Sequence, residues 1–479
     1  VTATGTSRPR GQRRWAIDLR PLRVLAYRRL WVGNAIAMFG FQFTAVAVPV
    51  EMYALTKDSL WVGLLGVAAF VPLLVFGLWG GAVADALDRR RVLLGGSVLL
   101  WFSVLALLAQ ALLDVGSPVL LLALVALSSV SFAISGPARA ALVGRLVPAE
   151  LVPAATTLNF TTAMATSVLG PLAAGLILAT FDLGVALPLA YGLDAALLVA
   201  LVWAALRLPA MPPEPDPDGG PRQAGLRSII DGVRYLAGAP VLLLSFAIDL
   251  IAMVFAFPRA LFPEVATERF GGGAAVGWLY SSIAIGSLLA GLLSGWIGRV
   301  RRQGLVLVVA VVGWGVAVAL AGLARQLWLV VALLVLAGAA DLVSSVVRQS
   351  MLIVYAPDRM RGRLQGVNTV VVAGGPRLGD LRAGGMAAGF GSGVAWVGGG
   401  LVAAALAVLL AVAFPALVRY RAATPPREAT EATGPIEATD AIEATDAIGA
   451  TEATGATEAT GPSGPGDRRP ERANSGPES

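Results

Sequence analysis

Runs of about twenty predominantly apolar residues recur along most of this chain, and a run of that length is what an α-helix needs to cross the hydrocarbon core of a bilayer. They fall near 31–55, 61–84, 92–113, 118–136, 154–180, 185–206, 241–262, 277–298, 305–323, 329–349, 367–390 and 394–416. The expected fold class is therefore an all-α integral membrane protein with twelve transmembrane helices. Composition agrees: 57% of the 479 residues are hydrophobic and 14% charged, whereas a soluble domain has roughly half and a quarter. The seventh and eleventh runs are the least apolar, because they carry Pro258 and Arg259, and Pro376, Arg377 and Asp380.

Basic residues test the count, since loops kept in the cytoplasm collect Arg and Lys. With the N-terminus inside, the cytoplasmic segments hold eight arginines in 1–29, then Arg89–Arg91, Arg139 and Arg145, and four in 207–240. Arg299, Arg301 and Arg302 follow, then Arg359, Arg361 and Arg363, and six more after residue 416. The opposite loops hold only Lys57, Arg269 and Arg325. This asymmetry predicts a multi-pass protein of the plasma (inner) membrane with both termini cytoplasmic. It also gives the net charge of +6 a topological cause, so nucleic acid is not expected as a partner. Anionic lipid headgroups beside the cytoplasmic loops are.

The chain has no cysteine and no histidine, which removes disulfides, thiolate and imidazole metal sites and Ser-His or Cys-His nucleophile systems. No metal and no cofactor is expected, and proton chemistry must use carboxylates. Lys57 is the sole lysine, and its context is not that of a phosphate-binding Gly-x-x-x-x-Gly-Lys-Ser/Thr loop, so an ATP-driven pump is not expected. An enzyme is not expected either, because no polar cluster has catalytic spacing.

The organisation divides in two. A flexible basic arm is expected over 1–29, without the apolar core and cleavage site of a secretory signal, so the first span serves as the insertion signal. A six-helix bundle over 30–206 is followed by a cytoplasmic linker over 207–240. Its Pro209–Pro221 stretch is extended, and 226–236 has the spacing of a surface helix. A second bundle over 241–421 precedes a tail over 422–479, built on Glu-Ala-Thr triplets and expected to be disordered. The halves repeat each other: Arg139, Pro148 and Asn159 recur as Arg348, Pro357 and Asn368 at an offset of 209 residues, which also takes Pro49 to Pro258. Gly170-Pro171 and Gly375-Pro376 follow the shared Asn in each half, as helix hinges or packing points. Duplicated bundles facing each other are a transporter pattern and suit alternating access better than a static channel.

The segment Gly81-Ala-Val-Ala-Asp85-Ala-Leu-Asp88-Arg89-Arg90-Arg91 resembles the loop signature between the second and third helices of the major facilitator superfamily. In such a latch Gly81 allows close helix approach, Asp85 pairs with an arginine or a helix terminus, and Arg89, Arg90 and Arg91 anchor to anionic headgroups. Ala86 and Asp88 stand where that pattern has Arg and Gly. The mirrored loop, Gly295-Trp-Ile-Gly-Arg299-Val-Arg-Arg302, keeps the basic cluster without an acid. Gly170-Pro171-Leu-Ala-Ala174-Gly175 is similar to the fifth-helix motif of drug/proton antiporters, with Ala174 in place of a glycine. The stretches Leu22–Trp31, Ala47–Leu64, Leu208–Pro213 and Gly277–Gly286 look like the branch holding siderophore (enterobactin) exporters and macrolide-efflux proteins. The resemblance spans residues 20–421 and implies two pseudo-symmetric six-helix bundles, a monomer, and export of a small amphipathic molecule in exchange for protons. The cargo it implies is siderophore-like or drug-like. A broad multidrug or macrolide pump is the alternative, and a non-transporting receptor or scaffold is the reading from another class.

Charges inside spans carry the mechanism, since a central Arg or Asp costs roughly 2.5–3.5 kcal/mol on insertion scales. Asp249 is the leading proton-coupling candidate, an isolated carboxylate among Phe246, Phe255 and Phe257; Glu51, Asp341 and Asp380 follow. Arg348, Arg377, Arg382 and Arg259 are candidates for receiving an anionic or catecholate cargo. Asp341 and Arg348, seven apart, and Arg377 and Asp380, three apart, could neutralise each other along their helices. Asp194, mid-span beside Gly192, reads as structural. If the tail serves solubility alone, deleting residues 424–479 leaves the export rate at the full-length value in everted vesicles.

Overall fold

The computed structural model describes residues 18–212, 234–355 and 358–421. The arm before residue 18, most of the linker with its expected surface helix, Pro357 of the repeat and the Glu-Ala-Thr tail lie outside the described residues. Those described are helices and turns throughout, with no strand among them. The first half comprises α1 (Leu25–Thr56), α2 (Ser59–Ala86), α3 (Arg89–Leu112), α4 (Pro118–Leu146), α5 (Val152–Thr180) and α6 (Leu183–Leu206). The second comprises α7 (Pro240–Phe255), α8 (Phe262–Phe270), α9 (Ala274–Leu292), α10 (Gln303–Leu323), α11 (Leu327–Tyr355), α12 (Asp358–Phe390) and α13 (Ser392–Ala413), followed by a short α14 (Pro415–Arg419).

Helix pairing repeats from half to half. In the first, α1 packs on α5 and α6, α2 on α4, and α3 on α4 and α6; in the second, α7 packs on α12 and α13, α9 on α11, and α10 on α11 and α13. The halves meet through α2 against α12 and α5 against α9, a symmetric pair of crossings. Glycine makes the second one possible. A Cβ on Gly175 would come within 2.6 Å of the Gly277 Cα, and one on Gly277 within 2.7 Å of the Pro171 carbonyl oxygen, so the backbones touch where any side chain would hold them apart.

Eleven stretches among the described residues are long and apolar enough to cross a membrane. The seventh is α7, a 3-10 turn over Arg259–Leu261 and α8 taken together, Pro240–Phe270. The break follows from Pro258, which has no N–H to continue the ladder and turns the preceding residue away from helical geometry. This span therefore extends eight residues past its expected end. The eleventh expected span, α12, is not among them: it has 33 residues but carries Arg377, Asp380 and Arg382. It tolerates them by lying between α2, α7 and α13 rather than against lipid, and its glycines let it sink in: Gly374 faces the Phe70 ring and Gly384 the Ser59 backbone.

Gly81 and Asp85 fall on the last turns of α2, and their side chains lie outside the described residues. Just beyond them Asp88, the departure from the family pattern, is the N-cap of α3: its Oδ1 accepts the N–H groups of Arg90 (2.8 Å) and Arg91 (3.4 Å), while Oδ2 accepts that of Met211 (3.1 Å). Arg90 donates to the carbonyls of Leu206 (2.6 Å) and Ala205 (3.3 Å), capping the end of α6. One arginine of the expected headgroup anchor thus holds a helix terminus instead, where exposed carbonyls attract a cation. Asp88→Ala should lower stability by about 1 kcal/mol, read as a drop in the thermal midpoint that Asp88→Asn largely avoids.

Candidate functional site

A cavity of about 720 Å³ lies between the halves. Its wall is mostly apolar and aromatic, with a few polar groups converging on it, the usual make-up of a small-molecule site. The first half contributes Phe41, Gln42 and Thr44 of α1, Phe132 of α4 and Pro171 of α5; the second contributes Phe257, Arg259, Tyr280, Pro376, Arg377 and Asp380. The break after α7 is what brings Phe257 and Arg259 to it, in keeping with the rule that irregular backbone at membrane depth occurs where it lines a cavity.

Three of the charged candidates gather here. The Arg259 guanidinium lies 5.2 Å from the Tyr280 ring centroid. Asp380 lies within electrostatic reach of both Arg259 and Arg377. The wall thus carries two cations against one carboxylate beside Tyr280, itself edge-on to Phe262 at 5.2 Å. Pro171 and Pro376, expected as hinges or packing points, also line the cavity, and each lies inside an unbroken helix. Gly170 leaves room for the Gln42 side chain, and Gly375 for Met253.

The remaining candidates lie elsewhere. Arg348 forms an ion pair with Asp249, both nearly inaccessible (3% and 2%), between α11 and α7. The carboxylate that looks isolated along α7 therefore has a cation from another helix. Asp341 lies within electrostatic reach of both partners, but Arg348 bonds across helices rather than along its own. Glu51 is buried inside the first half, accepting Gln110 Nε2 (2.6 Å) and the Tyr191 hydroxyl. Arg382 clamps α12 to its neighbours by donating to the carbonyls of Val254 (3.0 Å) and Ala395 (3.2 Å), so its guanidinium is spent on backbone. Asp194 is fully buried and accepts the Thr44 hydroxyl at 2.5 Å, placing a carboxylate one hydroxyl behind the cavity wall. Gln42, Thr44 and Tyr280 were not among the sequence candidates; the rarity of Gln inside a span was the available signal.

Beyond the cavity, at the end of the molecule where α1 finishes, hydroxyls of the first half bond to carboxylates of the second. Tyr53 donates to Glu268 Oε1 at 2.6 Å and Ser59 to Glu264 Oε2. Nearby the Ser281 hydroxyl donates to the Val168 carbonyl, 2.9 Å, along the α5–α9 crossing. These contacts tie the two halves together towards the Thr56 end.

Two repeated helical bundles around a central cavity are the architecture of a secondary transporter. The chain matches the transmembrane secretion effector family over residues 16–440 and belongs to that family of the major facilitator superfamily: it is a multi-pass membrane protein that exports small molecules, not an enzyme. The enterobactin exporters of Shigella boydii and of Escherichia coli are both 32% identical to it over 385 residues, 78% of this chain and 88% of theirs. Among solved structures, the nucleoside transporter NupG superposes with a TM-score of 0.66 at 16% identity, covering 83% of this chain and all of that one. A bacterial homologue of the iron transporter ferroportin superposes with 0.62 at 17%, covering 83% and 99%.

Closure of the cavity by these contacts is the expected consequence, and it is testable because the chain has no native thiol. A single cysteine at Val62, which lines the cavity, should react slowly with an impermeant maleimide supplied from the Thr56 side. Removing both donors, Tyr53→Phe with Ser59→Ala, deletes two hydrogen bonds to charged acceptors and should raise that rate at least about fivefold. An unchanged rate would show that helix packing alone closes this end.

Proposed function

We propose that the protein exports a small anionic aromatic molecule, of siderophore-like or hydrophobic drug-like character, from the cytoplasm in exchange for protons. The observation that carries the cargo assignment is the cavity's charge: Arg259 and Arg377 against Asp380 alone, among Phe41, Phe132, Phe257 and Tyr280. Guanidinium groups over aromatic faces suit a catecholate or other planar anion. The likeness to enterobactin exporters supports the same class. The arginine bias of the loops supports cytoplasmic termini at the inner membrane, and with that orientation the Thr56 end is the outer gate, held closed in this conformation by the Tyr53 and Ser59 contacts. The protein acts as a monomer, with anionic headgroups around its basic loops.

Linkage decides which carboxylate carries the proton. A proton on Asp380 would release Arg259 and Arg377 to an anionic cargo, so proton and cargo would favour each other and travel together. Exchange requires them to favour opposite states. Asp249 meets that requirement: it is off the cavity, and neutralising it dissolves the ion pair with Arg348 that joins α7 to α11, so the proton acts on the conformation and not on the cargo contacts. Hinges at Gly170-Pro171 and Gly375-Pro376, and the Gly81–Arg91 latch, serve the rocking of the halves.

Transport in everted vesicles with an imposed proton gradient, offering a catechol siderophore and a macrolide separately, tests the reading. Asp249→Asn should bind cargo but lose gradient-driven accumulation, and a wild-type rate between about pH 6 and 8 would exclude it as the carrier. Arg377→Gln should raise the KM for the catechol about tenfold or more by removing a charged contact, with a smaller effect on the macrolide. Movement of both cargoes insensitive to the gradient would overturn antiport.

A further inference from the structure

The second half contains an apolar groove that the cargo cavity does not use. It runs between α9, α10 and α11 and encloses about 780 Å³. Its floor is made of small residues, Gly286, Ala310 and Ala339, and its rim of Leu293, Val309 and Leu336, which are largely exposed. The shape has a local cause. A Cβ on Gly286 would collide with the Val335 carbonyl, and one on Gly338 with the Ile283 backbone, so α9 and α11 touch beneath the groove. Along α11 the groove runs from Ala332 to Val343, about 16 Å at the helical rise. One leaflet of hydrocarbon is about 15 Å thick, half of a ~30 Å core.

At the Leu293 end the chain joins the two walls through a 3-10 segment, Ser294–Arg299, and re-enters α10 at Gln303. Trp296, half exposed, turns into the groove from this segment, at the depth where indole rings favour the membrane–water boundary. Arg299, Arg301 and Arg302 follow, all exposed. No carboxylate among the described residues pairs with any of them. The N-terminus of α10, 21 residues long and without a side-chain cap, adds its own positive potential at the same place. Three uncompensated guanidinium groups stand at the mouth of a trough one leaflet long, and the medium filling that trough in a bilayer is acyl chain.

We propose that this groove is a binding site for an anionic phospholipid of the leaflet meeting the Arg299–Arg302 end. One acyl chain lies between α9, α10 and α11, and the phosphate is held by Arg299, Arg301 and Arg302. The site is independent of cargo and of the coupling ion, and it is more specific than general attraction of basic loops to a charged surface, because tail and headgroup are recognised together.

Native mass spectrometry of the full chain released from detergent, with phosphatidylglycerol and phosphatidylcholine added in equal amounts, tests it. The wild type should retain phosphatidylglycerol over phosphatidylcholine by at least about tenfold, given the attraction of each arginine near a phosphate. The triple variant R299Q/R301Q/R302Q should lose that preference, while R325Q, at the opposite end of α10, should keep it. Ala332→Phe, which fills the groove's far end at an exposed position, should lower phosphatidylglycerol retention although every arginine remains. A second measurement needs no variant of the arginines: phosphatidylglycerol brominated on its acyl chains should quench the Trp296 component of emission, taken as wild type minus Trp296→Phe, more strongly than brominated phosphatidylcholine. Equal retention of both lipids by the wild type, an unaltered preference in the triple variant, or equal quenching would each overturn the proposal. Loss in the triple variant with none in Ala332→Phe would overturn the groove and leave a headgroup contact alone.

Discussion

Inside a bilayer a polar group can bond only to protein, and that constraint shapes every level of this molecule. Backbone groups are satisfied mostly by unbroken helices, and the break between Phe255 and Phe262 falls at Pro258 beside the cavity. Several buried charged side chains find partners in the same way. Asp249 meets Arg348, Glu51 meets Gln110 and Tyr191, Asp194 meets Thr44, and Arg382 meets two carbonyls. Each of these links joins different helices, so groups that are expensive in lipid become the ties of the bundle interior. An ion pair of this kind contributes little net stability compared with a well-packed apolar pair, yet removing one member leaves an uncompensated charge. That makes it a good conformational switch and a poor ornament.

The halves are held differently from the way each is held internally. Across the α5–α9 crossing the contact is backbone on backbone, through Gly175 and Gly277, with one hydroxyl–carbonyl bond from Ser281 to Val168, and two hydroxyl–carboxylate links join the halves at the Thr56 end. Within a half, side chains interdigitate and polar groups pair deep in the core. An assembly that is tightly joined inside each half and lightly joined between them can rock without unpacking either half, which is the mechanical requirement of alternating access. The duplication is not exact: Asp249 and Arg348 have as counterparts, at the 209-residue offset, Gly40 and Arg139, so the ion pair belongs to the second half alone.

Much of this was legible in the residues. Apolar run length marked the helices, Pro258 and the charges at 377–382 marked the two irregular spans, and Arg259, Arg377 and Asp380 stood out as charges inside spans that reach the cavity. What could not be read was partnership. Asp341 and Arg348 share a helix face, and spacing alone would join them; the bond actually made runs to a residue 99 positions earlier, and no local periodicity encodes a contact between helices. Arg90 teaches the same lesson at the surface. In sequence it is one of three equivalent arginines, but the end of α6 comes to rest beside it and takes its charge.

The sequence by itself determined that this chain lives in a membrane, where its apolar helices fall, that its two halves repeat, and that its charged chemistry rests on carboxylates and arginines. These follow from length, hydropathy and residue type, which act locally and need no partner. Tertiary structure alone decided which charges face the cavity, which are locked in pairs, and where an apolar trough opens beside a basic loop. Those outcomes depend on how helices dozens of residues apart pack against one another, and that packing is set by where glycine lets two backbones touch.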